Sequence, residues 1–433
     1  MYDTIVIGAG FAGLTAARDL AEAGRSVLVL EARDRIAGRT HYAKLDPLDQ
    51  KVEYGGTWIV PRYQPHVARE IDRYGLELTN SPTPESYAWV FGGERKVGGL
   101  PFPDEEIPDC ERAVALAIAD ARRIEFGTPF EEQGLEDLDV PYEEWLDRHE
   151  IHGSTRELFA SYGGALCFGV APKDVSALHV LSWVAGLGNS AWNLFTAPSA
   201  KFAKGTGALA AAMAESLDVR LSTPVTAIAQ HGDAVEVTTA GGETVAARTA
   251  VVAVPLNVWK DISFTPALSA GKTAFTQEEL AGKAVKVWVQ ARTTPRFFAG
   301  LGWNTPLQWL STEFERDEGA VMVGFGISQG DVDAGDRASV EAAVKAYVPD
   351  AEVLDWWSED WNGDPYSQGT WTAFRPGQIS RLAAAGRASE GRLAFATADV
   401  AIGFSGWIEG AIESGATAAA TTQAMLTAAG AAV

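Results

Sequence analysis

The segment "TIVIGAGFAG" (residues 4–13) restricts the fold of this chain more than any other stretch. Residues 4–8 are an apolar, β-branched run of the kind a strand carries when it is buried in a parallel sheet, and the run passes directly into Gly8, Gly10 and Gly13. Leu14, Ala17 and Leu20 then share one helical face, Gly24 supplies a C-terminal stop, and "SVLVLE" (26–31) reads as a second apolar strand. Together these pieces make a βαβ unit. In such a unit the first glycine permits the tight turn, the second lets the backbone approach a pyrophosphate, and the third lets the helix pack closely. Glu31 ends the second strand where a ribose diol would lie. The reading is dinucleotide binding, with NAD and FAD both open at this point.

The next residues choose between them. "EARDRIAGRT" (31–40) brings Arg33, Arg35, Gly38 and Arg39, and "YGGTWI" (54–59) adds a glycine pair and Trp58. These resemble the second signature of FAD-dependent amine oxidases of the monoamine oxidase-like family, departing from it at Ala37, where a small residue in place of glycine is expected to be tolerated. The resemblance implies that Glu31, Ala32, Arg33, Gly38, Arg39, Gly55, Gly56, Thr57 and Trp58 join the three glycines along FAD. It places the Val225 backbone at the adenine, Ala398 and Asp399 near the ribityl chain with Thr397 in place of the usual glycine, and Gly406 and Ile408 at the flavin end. Stretches such as "ARDLAEAG", "IDRYG" and "VSALHVL" are similar to the 6-hydroxy-L-nicotine oxidase branch.

Three features fit the chemistry of such a family. Lys286 lies in "GKAVKVWVQ", where alternation puts 284, 286 and 288 on one strand face and Lys283 on the other. An inward lysine is costly unless it reaches a polar partner, and by resemblance it is the active-site lysine that holds a water and assists reoxidation by O2. "DPYSQGTWTAFRPG" (364–377) and "AIGFSGWIEGAIESG" (401–415) resemble the two segments that supply an aromatic cage, with Trp371 and Trp407 as facing walls. A helix opening near Trp407 would aim its positive end at the reduced flavin. Thr370 stands where a covalently tethered relative has cysteine, so FAD is expected to be held non-covalently. Leu166 and Gly188 replace the polar groups sought around a hydroxypyridine ring, and Trp309 is a candidate wall, so the pocket is expected to be less polar.

The fold class implied is α/β: a Rossmann-like FAD domain with an antiparallel insert, formed by residues 1–74, 204–285 and 391–433, interleaved with a mixed α+β substrate domain of residues 75–203 and 286–390. The insert is expected in the alternating segments "VRLSTPVTAIAQ", "AVEVTTA" and "TVAARTAVVAV".

Composition narrows the partners. Thirty-five Lys and Arg against 57 Asp and Glu give a net charge of −22, an unfavourable field for nucleic acid or anionic lipid. No apolar run approaches the roughly 18 residues of a membrane span. Cys110 and Cys167 are far apart and lack metal-ligand spacing, so neither a disulfide nor a metal site is expected, and a cytoplasmic location fits. The N-terminus lacks a secretion-signal pattern. A homodimer is allowed but not indicated. The expected activity is amine oxidation: hydride passes from the α-carbon to flavin N5, the imine hydrolyses, and O2 becomes H2O2, with an aromatic or alicyclic, nicotine-alkaloid-like amine as substrate. A flavin-dependent desaturase or isomerase, and a non-catalytic FAD-binding protein, are the alternatives.

Overall fold

The computed structural model describes residues 1–327 and 332–430. Tyr2–Ile7 sits between two parallel neighbours, Val27–Leu30 and Thr244–Val252, inside an eight-stranded sheet. Ile5 and Val6 are fully buried there, as the apolar run requires. Thr244–Val252 also pairs antiparallel with Ala234–Thr239, which pairs with Val225–His231, and parallel with Leu393–Phe395 from near the C-terminus. The helix Phe11–Glu22 covers this sheet and is crossed by the helix Ile408–Gly430 at very short range: a Cβ on Gly415 would stand 2.3 Å from the Ala12 carbonyl oxygen.

One expectation changes here. "VRLSTPVTAIAQ" is not a single antiparallel segment, because Asp218–Arg220 pairs parallel with Val27–Leu30 on the far edge and only Val225–His231 enters the hairpin. The break falls where Ser222 takes φ 51 and Pro224 removes a ladder donor.

A second, seven-stranded sheet runs in the order Glu352–Ser358, Ala284–Arg292, Ala320–Ile327, Trp309–Phe314, Phe298–Gly302, Ser86–Phe91 and Glu94–Val97. Its two faces do different things. Val287 and Val289 pack with Val340 and Val344 of the helix Arg337–Lys345, whose N-terminus is capped by the Asp336 carboxylate. Residues of the opposite parity face the first sheet, where Trp288 joins Phe325, Trp309, Trp58 and Trp371. Lys286 is paired with Phe325, and Phe325 with Trp309, so the three side chains stand side by side across adjacent strands.

Candidate active site

Between the sheets lies one long cavity of about 1960 Å³, its open mouth included. Its walls contain Gly8, Gly10, Glu31, Ala32, Arg33, Gly38 and Val225 at one end, and Thr57, Trp58, Leu166, Lys286, Trp309, Trp371 and Trp407 at the other, with Arg39, Gly55, Gly56, Ala398, Gly406 and Ile408 also on the surface. Residues from every segment singled out in the sequence thus meet around one space.

At the first end, Glu31 accepts hydrogen bonds from the Ala9 N–H at 2.7 Å and the Arg33 N–H at 2.9 Å, which fixes the turn after each strand. The helix beginning at Phe11 has no side-chain cap, and Gly10, Phe11 and Ala12 line the cavity. The first amides of a helix have no partner within it, so this end presents donors and a positive dipole. Gly8 takes φ 105, a conformation that side chains other than glycine rarely adopt. Gly13 is one layer behind the wall: a Cβ there would fall 1.9 Å from the Gly8 carbonyl oxygen, so its role is the close packing expected of it.

Two residues from the signature also act from behind. Asp399 is fully buried and does not reach the cavity surface; its oxygens take bonds from Arg39 (2.9 Å), Thr372 (2.7 Å), the Leu256 N–H (3.0 Å) and Thr397 (3.1 Å). Burial would push this carboxyl up, but Arg39 and those bonds hold it below its usual value. Arg35 donates to the carbonyls of Ile36, Gly38 and Thr40 and pairs with Glu359, which makes it a clamp on the loop and not a wall of the cavity. Ala37 lines the cavity with φ 79, so the substitution of glycine there is strained.

At the other end Lys286 is buried, and its Nζ donates to Thr57 Oγ1 at 2.7 Å and to the Gly55 carbonyl at 3.0 Å. Burial pulls its ammonium down to about 7; nearby Glu53 opposes that pull and Lys201 adds to it. Lys283, by contrast, is on the exposed face near Glu279. Trp371 donates its indole N–H to the Cys167 carbonyl at 2.6 Å. This ties it to the end of a π-helical turn, Ala160–Leu166, that brings Tyr162 and Leu166 to the wall. Trp407 packs edge-to-face on Trp183 at 4.9 Å, and the helix starts one residue later, at Ile408. Gly188 is not on the wall; it packs against the Tyr63 ring.

Sequence reasoning missed several supports. His179 accepts from the Phe374 N–H through Nδ1 and meets Ser405 Oγ at 2.8 Å through Nε2, so it braces the loop before Trp407. Burial lowers it to about 3, which keeps it neutral. "VSALHVL" contains it, but an apolar helix face gives no hint of the partners across the fold. Among the described residues no cluster of three or more metal-ligating side chains occurs, both cysteines are free, and no helix is long and apolar enough to cross a membrane.

A βαβ nucleotide site sharing one cavity with a buried lysine and several tryptophans defines a cofactor-dependent oxidoreductase. Residues 11–422 match the family described as flavin containing amine oxidoreductase. The chain is 34% identical over 416 residues, 95% of its length and 97% of the relative's, to (S)-6-hydroxynicotine oxidase of Paenarthrobacter nicotinovorans. It is 35% identical to nicotine dehydrogenase of Pseudomonas putida, over 96% of this chain and 86% of that protein. The solved structure of putrescine oxidase bound to putrescine superposes with a TM-score of 0.88 at 25% identity, covering 98% and 99% of the two chains. This chain belongs to the flavin-containing amine oxidoreductases, and FAD is its cofactor.

The residues present fit that cofactor. Among the described residues, Arg33 Nε on the cavity wall is a buried donor without a protein partner. Gly10 and Gly38 keep the middle thin, since a Cβ on Gly38 would stand 3.1 Å from the Gly10 Cα.

Proposed function

We propose that this enzyme oxidises the C–N bond of an aromatic or alicyclic amine, related in shape to the nicotine alkaloids, to an imine that water converts to a carbonyl compound and an amine. When bound, FAD would supply the two-electron acceptor for the hydride of the amine α-carbon, with O2 as the final oxidant and H2O2 as its product. Gly8, Gly10, Glu31, Arg33 and the Val225 backbone hold its nucleotide end non-covalently, with Gly55, Gly56, Ala398, Gly406 and Ile408 nearer the ring system. Residues 1–74, 204–285 and 391–433 form the domain that binds it, and the rest forms the substrate domain.

The observation that carries this reading is the convergence of Lys286, Trp371 and Trp407 on one cavity with the glycine motif. The indoles of Trp371 and Trp407 orient the amine and exclude water. Lys286 holds a water through the one ammonium donor that Thr57 and Gly55 leave free, and in its protonated form favours electron transfer to O2. The reactive amine is unprotonated, because the nitrogen lone pair must be available as the α C–H leaves.

The apolar wall supports the substrate class. Tyr162, Leu166, Trp183, Leu194, Trp309 and Phe325 line the cavity with Lys286, and Tyr162 donates its hydroxyl to the Leu194 and Phe195 carbonyls. No carboxylate stands among these wall residues to meet a second cationic group, so a diamine is a poor substrate. The location is proposed as cytoplasmic, the partners being the amine and O2. Aerobic turnover of a panel of cyclic, aryl and diamine substrates tests the proposal: carbonyl product and H2O2 appear in equal amounts with the first two, and preference for the diamine would refute it.

A further inference from the structure

A half-buried lysine that the chemistry above does not use bears on Lys286. Lys201, on the short strand Ala200–Phe202, forms an ion pair with Glu313 on the strand Trp309–Phe314, and both side chains are largely withdrawn from solvent. Withdrawing two charges from water is costly even when they pair.

The pair is connected to the cavity wall. Glu313 Oε1 lies 3.5 Å from Ser81 Oγ, Ser81 accepts the Trp58 indole N–H at 3.1 Å, and the Trp58 ring centre is 5.4 Å from Lys286 Nζ. The Ile59 N–H also bonds to the Ala200 carbonyl at 2.9 Å, so the Thr57–Ile59 segment that receives Lys286 is laced to the strand that carries Lys201. Glu313 is four residues beyond Trp309 on the same strand. The titratable groups bearing on Lys286 are Glu53, from the strand Lys51–Glu53, and Lys201; His41 acts on Glu53 in turn.

We infer that Lys201 and Glu313 are positioning residues for Lys286: the neutral pair seats the Trp58 wall beside the lysine and fixes the electrostatic field in which the lysine takes and releases its proton. This rests on the reading of Lys286 as the residue that assists reoxidation.

The test is a double-mutant cycle of charge neutralisation in the FAD-loaded protein. It reads the pH dependence of flavin absorbance without substrate and the pH dependence of flavin reoxidation by O2. Glu313→Gln leaves an unpaired cation and lowers the apparent pKa of Lys286 by roughly one unit; Lys201→Met leaves an unpaired anion and raises it by a similar amount. The double variant, which removes both charges while keeping similar volume, returns the value to that of the wild type. Glu313→Asp and Lys201→Arg keep the charges and are expected to titrate as the wild type, which preserves the test if either neutralised single variant fails to fold. Shifts of the same sign in both singles, or no shift in either while Lys286→Met abolishes the titration, would overturn the inference. If Lys286→Met leaves the titration in place, the reading of Lys286 itself fails, whatever the pair does.

Discussion

Lys286 Nζ lies 2.7 Å from Thr57 Oγ1, so a lysine carried by the seven-stranded sheet is gripped by the loop that follows the strand Lys51–Glu53. The contact buries the amine among Trp58, Trp288 and Phe325, each ring centre within 5.5 Å of it. Its ammonium is therefore lowered to about 7 by burial, against the influence of Glu53. The protonated form prevails below that value, and the amine substrate is reactive above its own pKa. Flavin reduction by amine is thus expected to speed up as pH rises, and reoxidation by O2 to slow down as pH passes upward through about 7. Rapid-mixing measurements of the two half-reactions check this. Lys286→Met is expected to slow reoxidation by roughly 10²-fold, the cost of removing one charge-stabilising donor, and to leave reduction within a few-fold.

Trp371 and Trp407 are expected to affect the amine and not the cofactor. Replacing either by alanine removes an aromatic wall, a loss of about 1.5–3 kcal/mol in substrate contact, which corresponds to about ten- to a hundredfold in kcat/KM. The yellow absorbance of the purified variants should be retained. The Trp407 change is expected to be the cleaner one, because the Trp371 indole also holds the Cys167 carbonyl.

Ala37 offers a test of backbone strain. It takes φ 79 where glycine pays little, a cost of roughly 1–2 kcal/mol that is offset in part by the entropy glycine loses on folding. Ala37→Gly is expected to raise stability by about 0.5–1 kcal/mol, seen as a higher Tm with FAD bound.

Asp399 holds the wall in place from behind. Its folded-state pKa is lowered, since Arg39 and three further donors outweigh the effect of burial. Its contribution to stability is complete above the unfolded pKa of about 4 and is lost as pH falls through the lower folded value. Asp399→Ala leaves Arg39 without its partner and is expected to cost about 3 kcal/mol at neutral pH, with the difference from wild type narrowing in acid. Denaturant titrations at pH 7 and pH 3 measure both points.

The βαβ unit was legible because buried parallel strands and glycine spacing are local signals, and the face of Lys286 followed from alternation alone. The break of "VRLSTPVTAIAQ" into two strands was not, because alternation continues through Ser222 and Pro224 while the backbone turns. Residues of the signature were found, but not their depth: Asp399, which the resemblance places near the ribityl chain, is taken up by Arg39, Thr372 and the Leu256 N–H, and Arg35 clamps its own loop. His179, Lys201 and Glu313 gave no signal, since each depends on a partner more than a hundred residues away.

Lys286, Trp371, Trp407 and the glycine motif are proposed to enclose one flavin site for amine oxidation. Anaerobic mixing of the purified yellow protein with cyclic and aryl amines, followed by absorbance, tests it most directly. The flavin band is expected to bleach with these amines, more slowly for Trp407→Ala, and to return on admission of O2. A band that persists with every amine, or a protein that takes up no flavin, would contradict it.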